Sequence, residues 1–308
     1  MINFLQKYED LKKSIPMPGL RNINSENCEN VDYVHHSKYC FYSFNSGHSE
    51  HLFYSTHCMG KYICDSYFAA MGELNYECVQ SIMCYECIFV FNSANCRNCS
   101  FCSECVGCND CFGCAALSHK QYCIWNKQYT KEEYEKKLLE LKKQPLEIHR
   151  KQFDALWKKI PVCASHQSKT ENCPYGDYIN FSHNCYWIFD SFTSDNCGYL
   201  YTTLAGVDSW DISYGASSDP QNMAKKAIEH SYEISGGVDY YHCFFCWYCR
   251  MCTNCYYCYD CNNCTDCFGC VALSNKQYCI LNNQFTKEEY ERLVKQIREE
   301  LGWTPMEK

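Results

Sequence analysis

The chain has 308 residues, of which 30 are cysteine and 27 tyrosine, and its formal net charge is −8 at pH 7. An acidic chain without a basic block lacks the positive surface that neutralises phosphates, so nucleic acid is not an expected partner. No apolar stretch reaches the length of about 18 residues that a transmembrane helix needs, and no membrane partner is predicted.

The opening segment predicts a helix and no export signal. Apolar residues from Phe4 to Ile15 recur at helical spacing and stop before Pro16. The charged stretch from Met1 to Lys13 lacks the apolar core and the cleavage site of a signal peptide. We therefore expect a cytoplasmic protein, in which a reducing environment keeps most thiols free or metal-bound rather than paired.

From Cys28 onward, small or apolar residues recur at every third position. The series reaches Cys58, slips in phase near residue 75 and resumes at Cys78. It then becomes pure cysteine in two runs with the same spacing. The first run consists of Cys96, Cys99, Cys102, Cys105, Cys108, Cys111 and Cys114, and the second of Cys243, Cys246, Cys249, Cys252, Cys255, Cys258, Cys261, Cys264, Cys267 and Cys270.

This period of three restricts the backbone. Three steps along an α-helix turn about 300°, and three steps along a flat strand reverse the face, so neither keeps the cysteines on one side. A 3₁₀ helix would align them, but such helices rarely exceed about four residues. Short extended pieces joined by corners do fit. The predicted fold is an all-β core with α caps, a narrow β-helix-like solenoid with inward residues at period three and about 12 to 18 residues per coil.

The residues that stand just before cysteines suit such corners. Asn, Asp and Gly are frequent there, as in Asn98, Asp110, Gly113, Asn254 and Asp266. These residue types reach positive φ at the least steric cost. We expect them to form the corners of the coils.

The chain is an internal duplication. Residues 108–135 match residues 264–291 at 22 of 28 positions, whereas earlier segments align at an offset of 145 instead of 156. The change predicts an eleven-residue insertion before Ser231, which forms a short helix near 219–230 with Asp219 as N-cap and Pro220 at the first helical position. We predict two tandem solenoid modules with helical caps, at 1–145 and 146–308.

Helical caps are predicted on both modules. Thr130 and Thr286 each stand three residues before a glutamate, which forms a capping box at the start of an amphipathic helix. Residues from Phe153 to Ile160 repeat the apolar spacing of the opening helix. An open solenoid would expose its core and an unpaired strand edge, and end helices cover both.

Two roles for the cysteine runs stay open. Cysteine is small and often buried, and Ser, Val and Leu take the same phase earlier in the chain, which favours a packed structural core without a cofactor. The unbroken runs favour soft-metal binding at all seventeen cysteines, because thiolates select Zn, Cu(I) and iron–sulfur clusters. The spacing matches neither a zinc ribbon nor the bacterial iron–sulfur pattern, so Cu(I) fits best among the metals.

No catalytic residues are predicted. The sequence has no Walker A loop, no H-E-x-x-H and no G-x-S-x-G. Lys120 near Cys123, repeated as Lys276 near Cys279, could lower the pKa of a thiol. We favour the simpler interpretation, in which these residues continue the period of three into the cap.

Aromatic residues occupy positions between the inward ones. They cluster in Phe244–Tyr248 and in Tyr256–Tyr259, where we expect them to face outward or to line the sheet surfaces. Such faces could bind a peptide, a glycan or another copy of the protein, or they could pack the modules together.

The string Cys-Phe-Gly-Cys-x-Ala-Leu-Ser-x-Lys-Gln-Tyr-Cys-Ile occurs at 111–124 and at 267–280, followed closely by Asn-x-Gln-Tyr/Phe-Thr-Lys-Glu-Glu-Tyr. It resembles uncharacterised cysteine-rich repeat proteins of candidate-phyla-radiation bacteria. Many members of that family resemble one such module behind a zinc-ribbon-like region, whereas this chain carries the module twice without that region. The resemblance implies the same architecture and brings no activity with it.

Together these features predict a non-catalytic β-solenoid with a buried thiol core. It would act as a structural scaffold or a protein-interaction module, with protein or self-association through its aromatic faces. The alternative is binding or storage of soft metal in the cysteine columns.

Overall fold

The computed structural model describes residues 3–17, 20–56, 58–66, 69–72, 75–76, 81–82, 97–161, 163–216 and 228–303. Most of the predicted insertion helix near 219–230 lies outside these residues. Its last part was predicted wrongly, because Ile228 and Glu229 form a strand that pairs with two others. No helix in the described ranges is long and apolar enough to cross a membrane.

The described residues form a β-solenoid accompanied by α-helices, which confirms the predicted fold at that level. The helices are α1 (Phe4–Ser14), α2 (Lys131–Leu141), α3 (Leu146–Trp157) and α4 (Lys287–Glu300). The strands are β1 (Asn22–Ile23), β2 (Val34–His35), β3 (Lys38–Phe41), β4 (Ser49–Phe53), β5 (Met59–Cys64), β6 (Ala69–Gly72), β7 (Asn75–Tyr76), β8 (Ser81–Ile82), β9 (Asn109–Phe112), β10 (Gln121–Ile124), β11 (Lys127–Gln128), β12 (Gln167–Ser168), β13 (Gly176–Asn180), β14 (Tyr186–Phe192), β15 (Gly198–Thr203), β16 (Gly206–Val207), β17 (Trp210–Ala216), β18 (Ile228–Glu229), β19 (Tyr232–Tyr241), β20 (Phe244–Tyr256), β21 (Thr265–Phe268), β22 (Gln277–Ile280) and β23 (Asn283–Gln284).

Each regular coil has 12 residues, as the side-chain ladders between residues 12 apart also show. Successive strands pair in parallel at this distance, so that Thr253 lies beside Thr265. Within a coil, every third residue has a positive φ, for example Tyr248 at 54°, Met251 at 47° and Asn254 at 52°. The residue that follows each corner points inward. A coil therefore has four sides of three residues each, and each side contributes one residue to the core.

The predicted corner residues are confirmed. Asn98, Asp110, Gly113, Asn254 and Asp266 all have φ between 46° and 66°. Many other corners hold tyrosine, phenylalanine or tryptophan, for which positive φ is unusual. Each such corner costs about 1–2 kcal/mol of local strain, so contacts between coils must offset it.

Two irregular coils explain the change in offset between the halves of the chain. Ser49 pairs with Gly60, which is eleven residues further along the chain, because this coil is one residue shorter than a regular coil between Cys58 and Gly60. The phase slip predicted near residue 75 was therefore placed wrongly. In the later part of the chain Trp210 pairs with Tyr232, which adds ten residues to a regular coil. The first half is one residue shorter and the second half ten residues longer than regular coils would make them, and together these differences account for the predicted eleven-residue insertion.

The chain divides into two compact units. The first unit is Pro18–Val162, and the second unit combines Met1–Met17 with Cys163–Lys308. The opening helix α1, which we predicted as a cap of the first module, thus packs within the second unit. The boundaries predicted for the modules themselves stay a prediction.

Both predicted capping boxes are confirmed. The Thr130 hydroxyl accepts a hydrogen bond from the Glu133 N–H, and the Glu133 carboxylate accepts one from the Thr130 N–H. Thr286 and Glu289 repeat this arrangement at the start of α4. Helices α2 and α4 then bury Tyr134 and Tyr290 against their own solenoids.

Candidate functional site in the thiol columns and corner rows

Inward residues one coil apart form columns along each solenoid. One column of the second unit contains only cysteine and serine, and a neighbouring column changes from aliphatic residues to cysteine. The first column consists of Cys173, Cys185, Cys197, Ser209, Ser231, Cys243, Cys255, Cys267 and Cys279, and the second of Ile188, Leu200, Ile212, Ile234, Cys246, Cys258 and Cys270.

The predicted site residues lie together in the core. Cys96 is outside the described residues, and each of the other sixteen exposes at most 1% of its surface. The stretch Cys243–Cys252 provides all four inward positions of one coil, and Cys255–Cys264 provides those of the next. Cys123 and Cys279 continue these columns, since they pair with Cys111 and Cys267.

Each thiol of the columns lies against backbone carbonyl oxygens. The Sγ of Cys255 is 3.4 Å from the oxygen of Thr253 and 3.5 Å from that of Cys264 in the next coil. Serine does the same, since the Ser49 hydroxyl is 2.9 Å from the oxygen of Gly47 and 3.2 Å from that of Cys58. Only a protonated thiol can donate here. A thiolate would face two oxygens that also carry negative partial charge.

The inward sulfur or oxygen atom also accepts hydrogen bonds in some columns. The N–H of Cys261 donates to the Cys249 sulfur at 3.5 Å, and the N–H of Cys243 donates to the Ser231 hydroxyl at 3.2 Å. Alanine or valine could neither donate nor accept at such a position. This double role gives a packing core a reason to use cysteine without a break.

No disulfide joins the cysteines that the structure describes. In the same ranges, no group of three or more His, Cys, Asp or Glu side chains is placed to hold a metal ion. Metal binding by the runs stays a prediction, but the carbonyl contacts of the thiols do not favour it.

Burial favours the protonated form of several thiols outside the two runs. It raises the pKa of Cys40 to about 12. It also raises the pKa of both Cys123 and Cys279 to about 11. The neighbouring Lys120 lowers the pKa of Cys123 only slightly. Cys123 and Cys279 are therefore poorly suited to act as nucleophiles.

Inside the runs, thiols also hydrogen-bond to one another, which raises the pKa of some thiols and lowers the pKa of others. Hydrogen bonds to Cys105 and Cys114 hold the pKa of Cys102 well above its ordinary range. Hydrogen bonds from Cys114 and Cys99 lower the pKa of Cys111 to about 3. The pKa of Cys105 is lowered as well, mainly by a hydrogen bond from Cys102.

Polar corners form ladders that line a crevice in each unit. The Asn98 amide donates to Asp110 at 2.9 Å, and the Asn254 amide donates to Asp266 at 3.0 Å. The first ladder borders a crevice of about 450 Å³ beneath α2, and the second one of about 780 Å³ beneath α4. Sequence analysis missed both crevices. The recurrence of Asp 12 residues after Asn, at Asn98 and Asp110 and at Asn254 and Asp266, was the sequence signal that could have indicated these ladders.

Aromatic corners form stacked rows on the surface of the first unit. The ring of His51 stacks on Tyr39 and on Tyr62, with centroids 4.9 Å apart in both pairs. Tyr42 and Tyr54 stack at 5.3 Å. Parallel coils place rings at this spacing because strands in a sheet lie about 4.8 Å apart. The tyrosines of these rows remain 40–61% exposed.

The second unit also carries exposed aromatic residues. Tyr186 packs edge-on against Tyr175 and Tyr199, and Trp187 and Trp210 lie beside them. Each of these five side chains is between 41% and 52% exposed. They form a contiguous apolar strip on the early coils of this solenoid.

The clusters predicted to face outward or to line the sheet surfaces are largely covered. Tyr256 is only 4% exposed and packs in a cluster with residues of α4. Tyr257 contacts Phe4 and Tyr8 of α1. These residues line the outer surfaces of the sheets, which is one of the two predicted alternatives, and helices cover part of them on the last coils.

Comparisons with known proteins do not identify the chain. No family model matches it, and no curated protein matches it. A solved structure from Desulfovibrio desulfuricans G20, described as a provisionally assigned acetyltransferase, shows 11% sequence identity and a TM-score of 0.14. That match covers 78% of this chain, and this chain spans 64% of the other one. A likeness this weak decides nothing about fold or activity.

Proposed function

We propose that the protein is a non-catalytic scaffold made of two tandem solenoid modules, with a structural thiol core and a surface that binds a protein partner. A reducing cytoplasm suits it, because the cysteines that the structure describes form no disulfide. The chemistry of the core and the aromatic surface support this proposal separately.

The observation that carries the structural role of the core is the pair of carbonyl oxygens beside most of the thiols in the two runs. Cys102, for example, is 3.3 Å from the oxygen of Ser100 and 3.6 Å from that of Cys111. The same contacts recur from coil to coil and also occur at serine, which is a poor ligand for soft metals. A core that only needs hydrogen-bonding, compact side chains accounts for both residue types.

The exposed rows support the interaction role. Surface patches of aromatic residues commonly mark protein interfaces, where tyrosine and tryptophan supply much of the binding energy. The row Tyr39–His51–Tyr62 and the pair Tyr42–Tyr54 run along the coils at a regular spacing. A regular row fits an extended protein segment, because such a segment can repeat the same contact at each coil.

Site-directed photo-crosslinking tests this surface. Benzoylphenylalanine would replace Tyr54, which is 61% exposed, in protein expressed in its native host. The matched control places the same residue at the exposed Lys136 on α2. We expect discrete crosslinked proteins from position 54 and none of them from position 136. Identical products from both positions, or no product from either, would contradict the interaction role.

Soft-metal binding remains the second candidate, and the low pKa of Cys111 favours it. Cys111, which lies beside Cys99 and Cys114, would supply the first thiolate ligand for Cu(I) or Zn when it loses its proton to the metal. Titration of the reduced, anaerobic protein with Cu(I) tests it, since thiol ligation releases protons as the metal binds. Stoichiometric uptake that a Cys111→Ser variant loses would support metal binding and contradict the structural role. Weak uptake that this variant leaves unchanged would exclude the site.

A further inference from the structure

Helices α1 and α3 stand at equivalent positions in the two halves of the sequence, and each packs on the solenoid of the other half. At the offset of 145 that aligns the early parts of the two halves, Phe4 corresponds to His149 and Tyr8 to Phe153. Helix α1, which precedes the first solenoid, packs on the second one, and α3, which precedes the second solenoid, packs on the first. Each solenoid is therefore covered by the helix that leads into the other.

The two helices make the same contacts. The ring of Phe4 meets Phe268 edge-on with centroids 5.0 Å apart, and the ring of His149 meets Phe112 edge-on at 5.0 Å. Phe112 and Phe268 are equivalent at the offset of 156. Phe4 also packs edge-on against Tyr257 at 5.5 Å, and His149 packs against the equivalent Phe101 at 5.7 Å. The docking surface is thus a repeated feature of the module.

The residues around each docking surface differ, and each set fits the helix that packs there. A Cβ on Gly269 would lie 2.5 Å from a ring atom of Phe4, so this glycine leaves room for that ring. At the equivalent Gly113, the space is filled by Trp125, whose counterpart is Leu281.

Polar contacts differ between the two helices in the same way. The N–H of Phe4 donates to Glu300 on α4 at 2.9 Å, and a ring nitrogen of His149 bonds to the carbonyl oxygen of Leu141 on α2 at 2.9 Å. The helices are therefore not interchangeable, although their surfaces are related.

We propose that these modules pair by reciprocal helix exchange. The surface formed by Tyr257, Phe268 and Gly269 is a docking site for the opening helix of another module, and the other module returns its own helix to the surface around Phe112. The partner that a module is built to bind is therefore a second copy of the module, here fused into the same chain. This inference rests on the tandem-module part of the proposed function and is independent of the aromatic corner rows.

Cleavage of the folded full-length chain tests the exchange. A protease site inserted between Lys143 and Pro145, in the turn from α2 to α3, would separate residues 1–143 from residues 145–308. Each half would keep the helix that covers the other. We expect the cleaved halves to elute as one particle with the mass of the uncleaved chain, and to separate only in denaturant. Separation on cleavage without denaturant would overturn the proposal.

Variants of α1 then show whether the helix holds the halves together. Phe4→Ala in the cleavable chain should weaken association of the halves by at least about 30-fold, because the buried ring is lost from the docking site. Leu5→Ala, at a neighbouring residue that is 49% exposed, should leave association unchanged. The thermal transition of both uncleaved variants would establish that they fold. Equal affinity of the two folded variants would contradict exchange, whereas the Tyr54 crosslinks bear only on the surface rows.

Discussion

At the scale of single residues, the inward positions select for a small side chain that can donate and accept hydrogen bonds. Serine and cysteine both do this, and the composition of the coils differs along the chain. Ser231 shares its coil with the larger Ile234 and Tyr240, whereas the coil from Cys243 to Cys252 contains only cysteine. The Tyr240 hydroxyl even occupies the space next to Gly237 that a Cβ would fill.

Substitution of Cys255 distinguishes how much its hydrogen bonds and its volume each contribute to the free energy of unfolding. Cys255→Ala removes the donor to Thr253 and Cys264 and leaves a small cavity, so we expect the free energy of unfolding to fall by about 1–3 kcal/mol. Cys255→Ser keeps the donor and should cost less, because Ser209 and Ser231 stand in the same column. Urea unfolding under reducing conditions measures both. A larger loss for serine than for alanine would contradict the hydrogen-bonding role.

Alkaline pH should destabilise the protein through its buried thiols. The pKa of Cys40 is raised from 9.0 to about 12, so the folded state holds the proton that the unfolded state releases. The stabilisation is complete below pH 9 and is lost as the pH rises toward 12. We expect urea midpoints to fall between pH 8 and pH 10.5, and Cys40→Ser to reduce the fall. An unchanged midpoint over about this range would show that the thiols are not held protonated.

At the scale of elements, the corners and columns followed directly from the sequence, because each coil repeats one chemical choice at every third residue. The coil length did not follow, since any multiple of three preserves the inward phase. Ladders such as Asn98 with Asp110 would have fixed it at 12, because corner amides bond to the corner directly above. The fate of Tyr256 and Tyr257 could not be predicted either. Period three distinguishes inward from outward residues but does not show which outward residues a helix covers.

The caps give a prediction at this scale. Thr286→Ala removes the acceptor for the Glu289 N–H at the start of α4, and helix N-caps of this kind contribute about 1 kcal/mol. We expect Thr286→Ser to retain most of that stability, because its hydroxyl can accept the same bond. Thermal unfolding of both variants measures the difference. Equal stability of the alanine and serine variants would show that the capping box does not stabilise α4.

At the scale of the whole molecule, the duplication was visible in the sequence, but the distribution of the helices was not. An amphipathic helix has an apolar face that must be buried, and its pattern does not name the surface that buries it. Phe4 and Phe268 are far apart in sequence, and their contact depends on Gly269, whose role is evident only when the helix is in place. The sequence predicted where the cysteines of the candidate site lie but not what their thiols do. The spacing located the cysteines, whereas the carbonyl oxygens beside them became visible only in the structure.

The S–H stretching band in the Raman spectrum tests the structural thiol core most directly. It would be recorded on native protein purified without oxygen and again on the same sample after denaturation in a chelator. A core of protonated thiols predicts equal band intensity in both states, with the native band shifted to lower frequency by hydrogen bonds to carbonyl oxygens. A native band that is weak or missing and that appears only after denaturation and chelation would show metal-bound thiolates and contradict the structural core.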